Sequence, residues 1–102
     1  MTHHLRFFFE AGVDTPLWPE DMASPYGYPC DLDKLPISPA TREELAKLSE
    51  RYQSSIDWKY PPNPSPWSDA EWQTFRERAH AALGTLRREL GTDWTVRDES
   101  LL

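Results

Sequence analysis

The chain has 102 residues, of which 38% are hydrophobic and 13% aromatic, so it can bury one modest core and is predicted to form a single domain, residues 1–102. Its formal net charge is −6, and a surface of this sign repels phosphate backbones, which argues against nucleic-acid binding. Because no apolar stretch approaches the ~20 residues of a membrane span or begins the chain as a signal peptide would, we expect a cytoplasmic protein that does not bind membranes.

The first predicted element is a strand over residues 5–10, an aromatic-rich run that ends shortly before a glycine. On this strand Phe7 and Phe9 would face one side of a sheet. Residues 2–4 are expected to be a frayed lead. Residues 12–37 then form a long acidic loop, because proline recurs throughout and each proline removes a backbone donor.

Two amphipathic helices are predicted, over residues 39–55 and 69–90. Ser38 is a favoured N-cap and is followed by a proline at the first helical position, although a second capping box three residues later leaves the start open. Ser68 and Glu71 form the capping box of the second helix, and apolar residues then follow the helical period for more than five turns.

Residues 57–67 form a connector rich in proline and aromatic side chains, which predicts a stiff, extended segment pinned against the helices through Trp58, Tyr60 and Trp67. Residues 93–97 alternate apolar and polar side chains and are predicted to form a strand that pairs with the first one. The expected fold is therefore α+β, with a small antiparallel sheet from the N- and C-terminal strands, two packed α-helices and long Pro-rich loops. The predicted core is Phe7, Phe9, Leu45, Leu48, Tyr52, Trp72, Phe75, Ala79, Leu83, Leu86, Trp94 and Val96.

The residues that most often carry catalysis are isolated in this sequence. His80 has no histidine, cysteine or acid three or four residues ahead, the spacing of a helical metal pair. Cys30 is the only cysteine and precedes Asp31, whose charge would raise the pKa of the thiol and disfavour a nucleophile. We therefore predict no enzyme activity, no metal and no cofactor.

The acidic excess lies outside residues 38–90, and tryptophans accompany the acids in two predicted loops. Exposed tryptophan beside carboxylates is typical of a binding hot spot for a basic protein partner. The candidate partner-binding residues are Asp14, Trp18, Glu20, Asp21, Asp31, Asp33, Asp57 and Trp58. The alternative is that the acids serve solubility and the tryptophans belong to the core.

The spaced segments TPLWPEDM, DLDKLPISPATREEL, SSIDWKYPP, PSPWSDAEWQTF and LRRELGTDWTV resemble those of small uncharacterised bacterial proteins of about this length. The resemblance covers about Phe7 to Val96 and implies no catalytic residues. In size and charge such proteins are similar to immunity proteins, which neutralise a toxin made by the same cell. We therefore expect an immunity protein that inhibits a bacterial toxin, of unknown oligomeric state.

Two alternatives remain open at the level of the sequence. The chain could be a small-ligand or regulatory module whose aromatic loops line a pocket, which a thermal-shift screen of metabolites would detect. It could also be a compact hydrolase, which would require His80 and acidic side chains to converge in one cleft.

Overall fold

Two helices and a three-stranded sheet make up the structure, a computed structural model that describes residues 3–102. The predicted α+β class is thereby confirmed. In chain order the elements are β1 (His3–Phe7), β2 (Leu17–Pro19), a short 3-10 helix (Leu32–Lys34), α1 (Pro39–Gln53), α2 (Asp69–Leu90) and β3 (Trp94–Asp98).

The sheet is mixed, with strand order β2-β1-β3. β1 pairs antiparallel with β2, where Leu5 lies opposite Pro19, and parallel with β3, where Leu5 lies opposite Val96. The predicted antiparallel pairing of the two terminal strands is therefore wrong. Parallel neighbours require a long crossover connection, and here both helices lie in the chain between β1 and β3.

β1 begins earlier than predicted and ends earlier, at His3–Phe7 instead of residues 5–10. His3 is not a frayed lead, because it pairs with Trp94 and its ring stacks on the indole at a centroid distance of 4.2 Å. Phe9 has left the strand, and its ring packs against aromatic rings of both helices. An aromatic run marks apolar contact but does not show where strand pairing stops.

Residues 12–37 are more than an acidic loop, because they contain β2 and a large share of the core. β2 is an edge strand of three residues that ends in Pro19, a position where the missing N–H disrupts little of the ladder. The buried apolar side chains of this segment are Pro16, Leu17, Pro19, Cys30, Leu32, Leu35 and Ile37. The carboxylates of Asp14, Asp31 and Asp33 remain exposed.

Both helices begin at serine caps. The Ser38 side chain accepts a hydrogen bond from the backbone N–H three residues on, so α1 starts at the earlier of the two candidate positions. It ends at Gln53, two residues before the end of the predicted range 39–55. In α2, Ser68 and Glu71 make both bonds of the capping box, and the helix covers the residues predicted for it.

The connector, residues 57–67, forms turns instead of an extended segment. The carboxylate of Asp57 accepts hydrogen bonds from the backbone N–H groups two and three residues on, which favours a turn over polyproline geometry. Of the three aromatic side chains expected to be pinned, Trp67 is buried. Trp58 and Tyr60 are 56% and 60% exposed.

The core joins the inner face of the sheet to the facing sides of both helices. Among the predicted core residues, those only partly buried and packed against this cluster are Phe9, Tyr52, Trp72 and Trp94, and the others are buried. β3 is shifted by one residue from the predicted range, to Trp94–Asp98. None of the helices within residues 3–102 combines the length and apolar character needed to cross a bilayer.

Candidate functional site

Two neighbouring clefts lie between α1 and the acidic loop of residues 12–37. The loop cleft, of about 440 Å³, is bounded by residues 29–33, Asp14, and Arg42 and Ala46 of α1. The tryptophan cleft, of about 560 Å³, is bounded by residues 12–14, by Ala46, Ser49, Glu50 and Gln53 of α1, and by Trp58. Asp14 and Ala46 line both clefts, so the two clefts adjoin each other.

The loop cleft displays the three carboxylates of Asp14, Asp31 and Asp33 and the guanidinium of Arg42. Asp31 caps the short 3-10 helix by accepting a hydrogen bond from the backbone N–H of Asp33 over 3.0 Å. The carboxylate of Asp33 lies 3.4 Å from Nε of Arg42, which also donates to the backbone carbonyl of Leu32. Arg42 therefore holds the acidic loop against α1 and offsets one of the three negative charges.

Cys30 also lines the loop cleft, yet its side chain is fully buried. Burial, reinforced by the charge of Asp31, raises the pKa of the thiol to about 12. A thiol with this pKa stays protonated at neutral pH and is a poor nucleophile. Its role in the structure is packing.

The tryptophan cleft is organised by the side-chain amide of Gln53. Its oxygen accepts a hydrogen bond from the backbone N–H of Gly12 over 2.7 Å, and its nitrogen donates to the carbonyls of Glu10 and Val13, each over 3.1 Å. Gly12 has φ +79°, in the left-handed region that favours glycine. Gln53 thus fastens the turn before Asp14 to the end of α1.

Three polar groups in this cleft have no partner in the part of the chain that the structure describes. The hydroxyl oxygen of Ser49 is buried without a hydrogen-bond partner, and the whole residue is 1% exposed. The carboxylates of Asp14 and Glu50 are exposed and, within residues 3–102, make neither an ion pair nor a hydrogen bond. The cleft therefore combines an exposed indole with two free negative charges and an unsatisfied hydroxyl.

The remaining predicted residues lie elsewhere. Glu20 and Asp21 line a third cavity of about 390 Å³, together with His3 and Trp94. Glu20 also pairs with a guanidinium of β3 over 3.4 Å. No residue that lines this cavity also lines the loop cleft or the tryptophan cleft.

Trp18 and Asp57 are largely occupied by internal contacts. The ring of Trp18 is half-buried and stacks on Phe8 at a centroid distance of 4.9 Å. The Asp57 carboxylate accepts a hydrogen bond from the Asn63 amide, and this bond together with backbone N–H groups lowers its pKa. The structure thus brings together Asp14, Asp31, Asp33 and Trp58 from the predicted set and leaves the other four outside the two clefts.

The position of His80 and the grouping of possible metal ligands are the two features that a hydrolase or a metal site would depend on. One ring nitrogen of His80 lies 3.1 Å from the carbonyl oxygen of Leu102, and this histidine lines none of the three cavities described. Across residues 3–102, no group of three or more histidine, cysteine or acidic side chains is placed to hold a metal ion.

Sequence patterns did not identify Ser49, Glu50 and Gln53 as parts of a site. Glu50 has the spacing of a solvated helix face, and nothing local distinguishes Ser49 from other serines near a helix end. Their importance depends on the turn before Asp14 lying against α1, a contact between residues about 40 positions apart.

The sequence model of a family described as CdiI_serr, Serratia CdiI immunity protein-like, matches residues 3–98. The matched range contains all the strands and helices and both clefts. No curated protein matches the chain significantly. The match therefore covers the whole fold and is not confined to one motif.

Proposed function

Because the chain belongs to the Serratia CdiI immunity protein-like family, we propose that it is an immunity protein that binds a bacterial toxin in the cytoplasm and inhibits it without catalysis. The observation that carries this proposal is the family match over nearly the entire fold. The geometry supports binding of a partner, since the clefts present charge and an aromatic side chain.

The charge of the two clefts indicates the chemistry of the partner. Four carboxylates line them, those of Asp14, Asp31, Asp33 and Glu50, against the single guanidinium of Arg42. A concave negative surface attracts a basic protein and accelerates its association. We therefore assign the toxin a basic contact surface, which the immunity protein covers.

The clefts are the centre of this interface and not its whole extent. A stable protein interface buries roughly 800 Å², or about 20–30 residues, on each partner, which is more residues than line the two clefts. Residues outside the clefts must contribute to the rim, and the exposed Glu20 and Asp21 and the half-buried Trp18 and Asp57 are candidates for it. Their internal contacts make them weaker anchors than Trp58.

Co-expression tests the function directly. A toxic polypeptide encoded next to this gene is expressed with and without the protein, and rescue of growth together with a purified complex is the expected result. Failure to rescue growth or to form a complex with that toxin contradicts the proposal.

Charge reversal tests the surface. The double substitution Asp31→Lys and Asp33→Lys should weaken toxin binding at least tenfold, or about 1.4 kcal/mol. Most of this change should appear in the association rate constant. The double substitution Glu77→Lys and Asp93→Lys, at two exposed acids that line neither cleft, is the matched control. An unchanged affinity in the double variant would move the interface away from the loop cleft.

A second candidate function is binding of a small ligand. The third cavity is lined by the aromatic rings of His3, Tyr26 and Trp94, and lining of this kind suits an apolar or aromatic molecule. A metabolite that raises the melting temperature, and whose effect is lost in Trp94→Ala, would favour this function.

A further inference from the structure

We propose that the tryptophan cleft receives one cationic side chain of the toxin, an arginine or a lysine, against Trp58 and between the carboxylates of Asp14 and Glu50. This inference rests on the proposed function and adds to it the group that is recognised and the residues that recognise it.

The first argument is that Glu50 differs from the other acids of its helix. Glu43 pairs with Lys47 over 2.9 Å, and Glu44 pairs with Arg78 of α2 over 2.7 Å. Among residues 3–102, Glu50 is the α1 carboxylate that has no cation, and Asp14 across the cleft has none either. Two unneutralised carboxylates facing one cavity favour a positive charge there.

The second argument is the buried hydroxyl of Ser49. A buried polar atom without a partner is uncommon in folded proteins and costs free energy until it is satisfied. Ser49 lines the cleft, but its oxygen is covered, so it can accept a hydrogen bond from an entering N–H donor once a small shift of its neighbours uncovers it. Guanidinium and ammonium groups are donors only, so they fit both this oxygen and the carboxylates.

The third argument is that the aromatic wall is already in place. The indole Nε1 of Trp58 donates to the backbone carbonyl of Gln53 over 2.8 Å, which restrains the ring while leaving the side chain exposed. A cation near the face of an indole is attracted by its quadrupole. Gln53 also fastens the turn before Asp14, so it holds both the Trp58 ring and the segment that carries the Asp14 carboxylate. Little further ordering of these side chains is therefore needed when the cation binds.

An organic cation fits this cleft better than a metal ion does. Hard divalent cations take six or more oxygen ligands in proteins, or fewer with several waters retained. No cluster of three metal-ligating side chains occurs anywhere in the part of the chain that the structure describes. Two carboxylates beside an indole, in contrast, match the charge and the apolar stem of a basic side chain.

The test is a titration of the isolated, isotopically labelled protein, followed by nuclear magnetic resonance. The probes are N-acetylarginine methylamide and the uncharged N-acetylcitrulline methylamide, which has nearly the same shape. The expected result with the arginine probe is a saturable shift of the resonances of the Trp58 indole N–H and the Ser49 amide. The dissociation constant of the citrulline probe should be at least about fivefold larger. Equal shifts with both probes, or no shift at these two sites, overturn the proposal.

Three variants sharpen the result. Asp14→Asn and Glu50→Gln each remove one charge from an exposed side chain and should weaken arginine binding about threefold or more. Glu77→Gln on α2 is the matched control and should leave it unchanged. If the control weakens binding as much as the cleft variants do, the attraction is one of net charge alone and the proposal is wrong.

This test needs no toxin, so the two proposals fail separately. If the protein rescues growth but its cleft does not bind the arginine probe, the immunity function stands and this cleft is not where the toxin's cationic side chain binds. Absence of any toxin complex would eliminate the immunity function, whatever the titration shows.

Discussion

The indole nitrogen of Trp58 donates a hydrogen bond to the backbone carbonyl of Gln53, the last residue of α1, over 2.8 Å. The final carbonyls of a helix have no partner within it, so this bond satisfies one of them. The side chain of Gln53 meanwhile fastens the turn that precedes Asp14. The end of α1 therefore positions both sides of the tryptophan cleft.

Replacing Trp58 should affect toxin binding far more than folding. Because the side chain is 56% exposed, Trp58→Ala should shift the melting temperature only slightly. Loss of an aromatic anchor at an interface costs about 2 kcal/mol or more, a factor of about 30 in affinity. Calorimetric titration with the toxin measures this loss. Tyr60→Ala is the control, since Tyr60 is equally exposed in the same connector and lines neither cleft.

Replacing Gln53 should loosen the turn before Asp14. Gln53→Ala removes one accepted and several donated hydrogen bonds to backbone groups and is expected to lower the free energy of unfolding by about 1–3 kcal/mol. Chemical denaturation measures this change, and faster amide exchange at Gly12 should accompany it. Gln73→Ala, on the exposed side of α2, should change both quantities little. Unchanged exchange at Gly12 would show that the turn is held by other contacts.

Glu89 of α2 should make stability depend on acid pH. Its carboxylate accepts hydrogen bonds from the backbone N–H of Ser38 over 2.6 Å and from the hydroxyls of Ser38 and Thr41. The Ser38 N–H above all, and then the Thr41 hydroxyl, lower its pKa below the ordinary value of 4.5. A carboxyl with a lowered pKa in the folded state stabilises the protein fully above about pH 4.5 and loses that contribution as the pH falls through the folded value.

Denaturation between about pH 6 and about pH 3 tests this dependence. Glu89→Gln should be less stable than the parent protein at the upper end, and the difference should shrink toward the lower end. Glu77→Gln should run parallel to the parent protein. A constant difference between Glu89→Gln and the parent would show that the ionised state of Glu89 contributes nothing to stability.

Cys30 should be inert in the folded protein. A pKa of about 12 in place of 9.0 reduces the thiolate fraction at about pH 8 by about a thousandfold, and burial blocks access as well. A disulfide reagent should therefore react slowly with the native protein and rapidly in guanidinium chloride. Rapid reaction under native conditions would mean that residues 29–33 open readily.

Signals carried by neighbouring residues in the sequence determined the helices. Ser38 followed by proline, and the pair Ser68 and Glu71, satisfy N–H groups within one turn, and the apolar period selects the buried face. The same local chemistry placed the acidic side chains of the Pro-rich segment outside, because a carboxylate without a partner is costly to bury. The negative charge that Asp14, Asp31 and Asp33 give to the candidate surface therefore follows from the sequence alone.

Only the tertiary structure decided the strand directions, the extra strand β2 and the membership of the site. Parallel pairing of β1 with β3, and the contact of Gln53 with the turn before Asp14, join residues far apart in the chain, and no short segment encodes such a contact. The free energy of these long-range contacts comes from surfaces that exist only after the chain has folded. For this reason the residues beside Ser49 and Glu50 in the sequence do not indicate their role in the cleft.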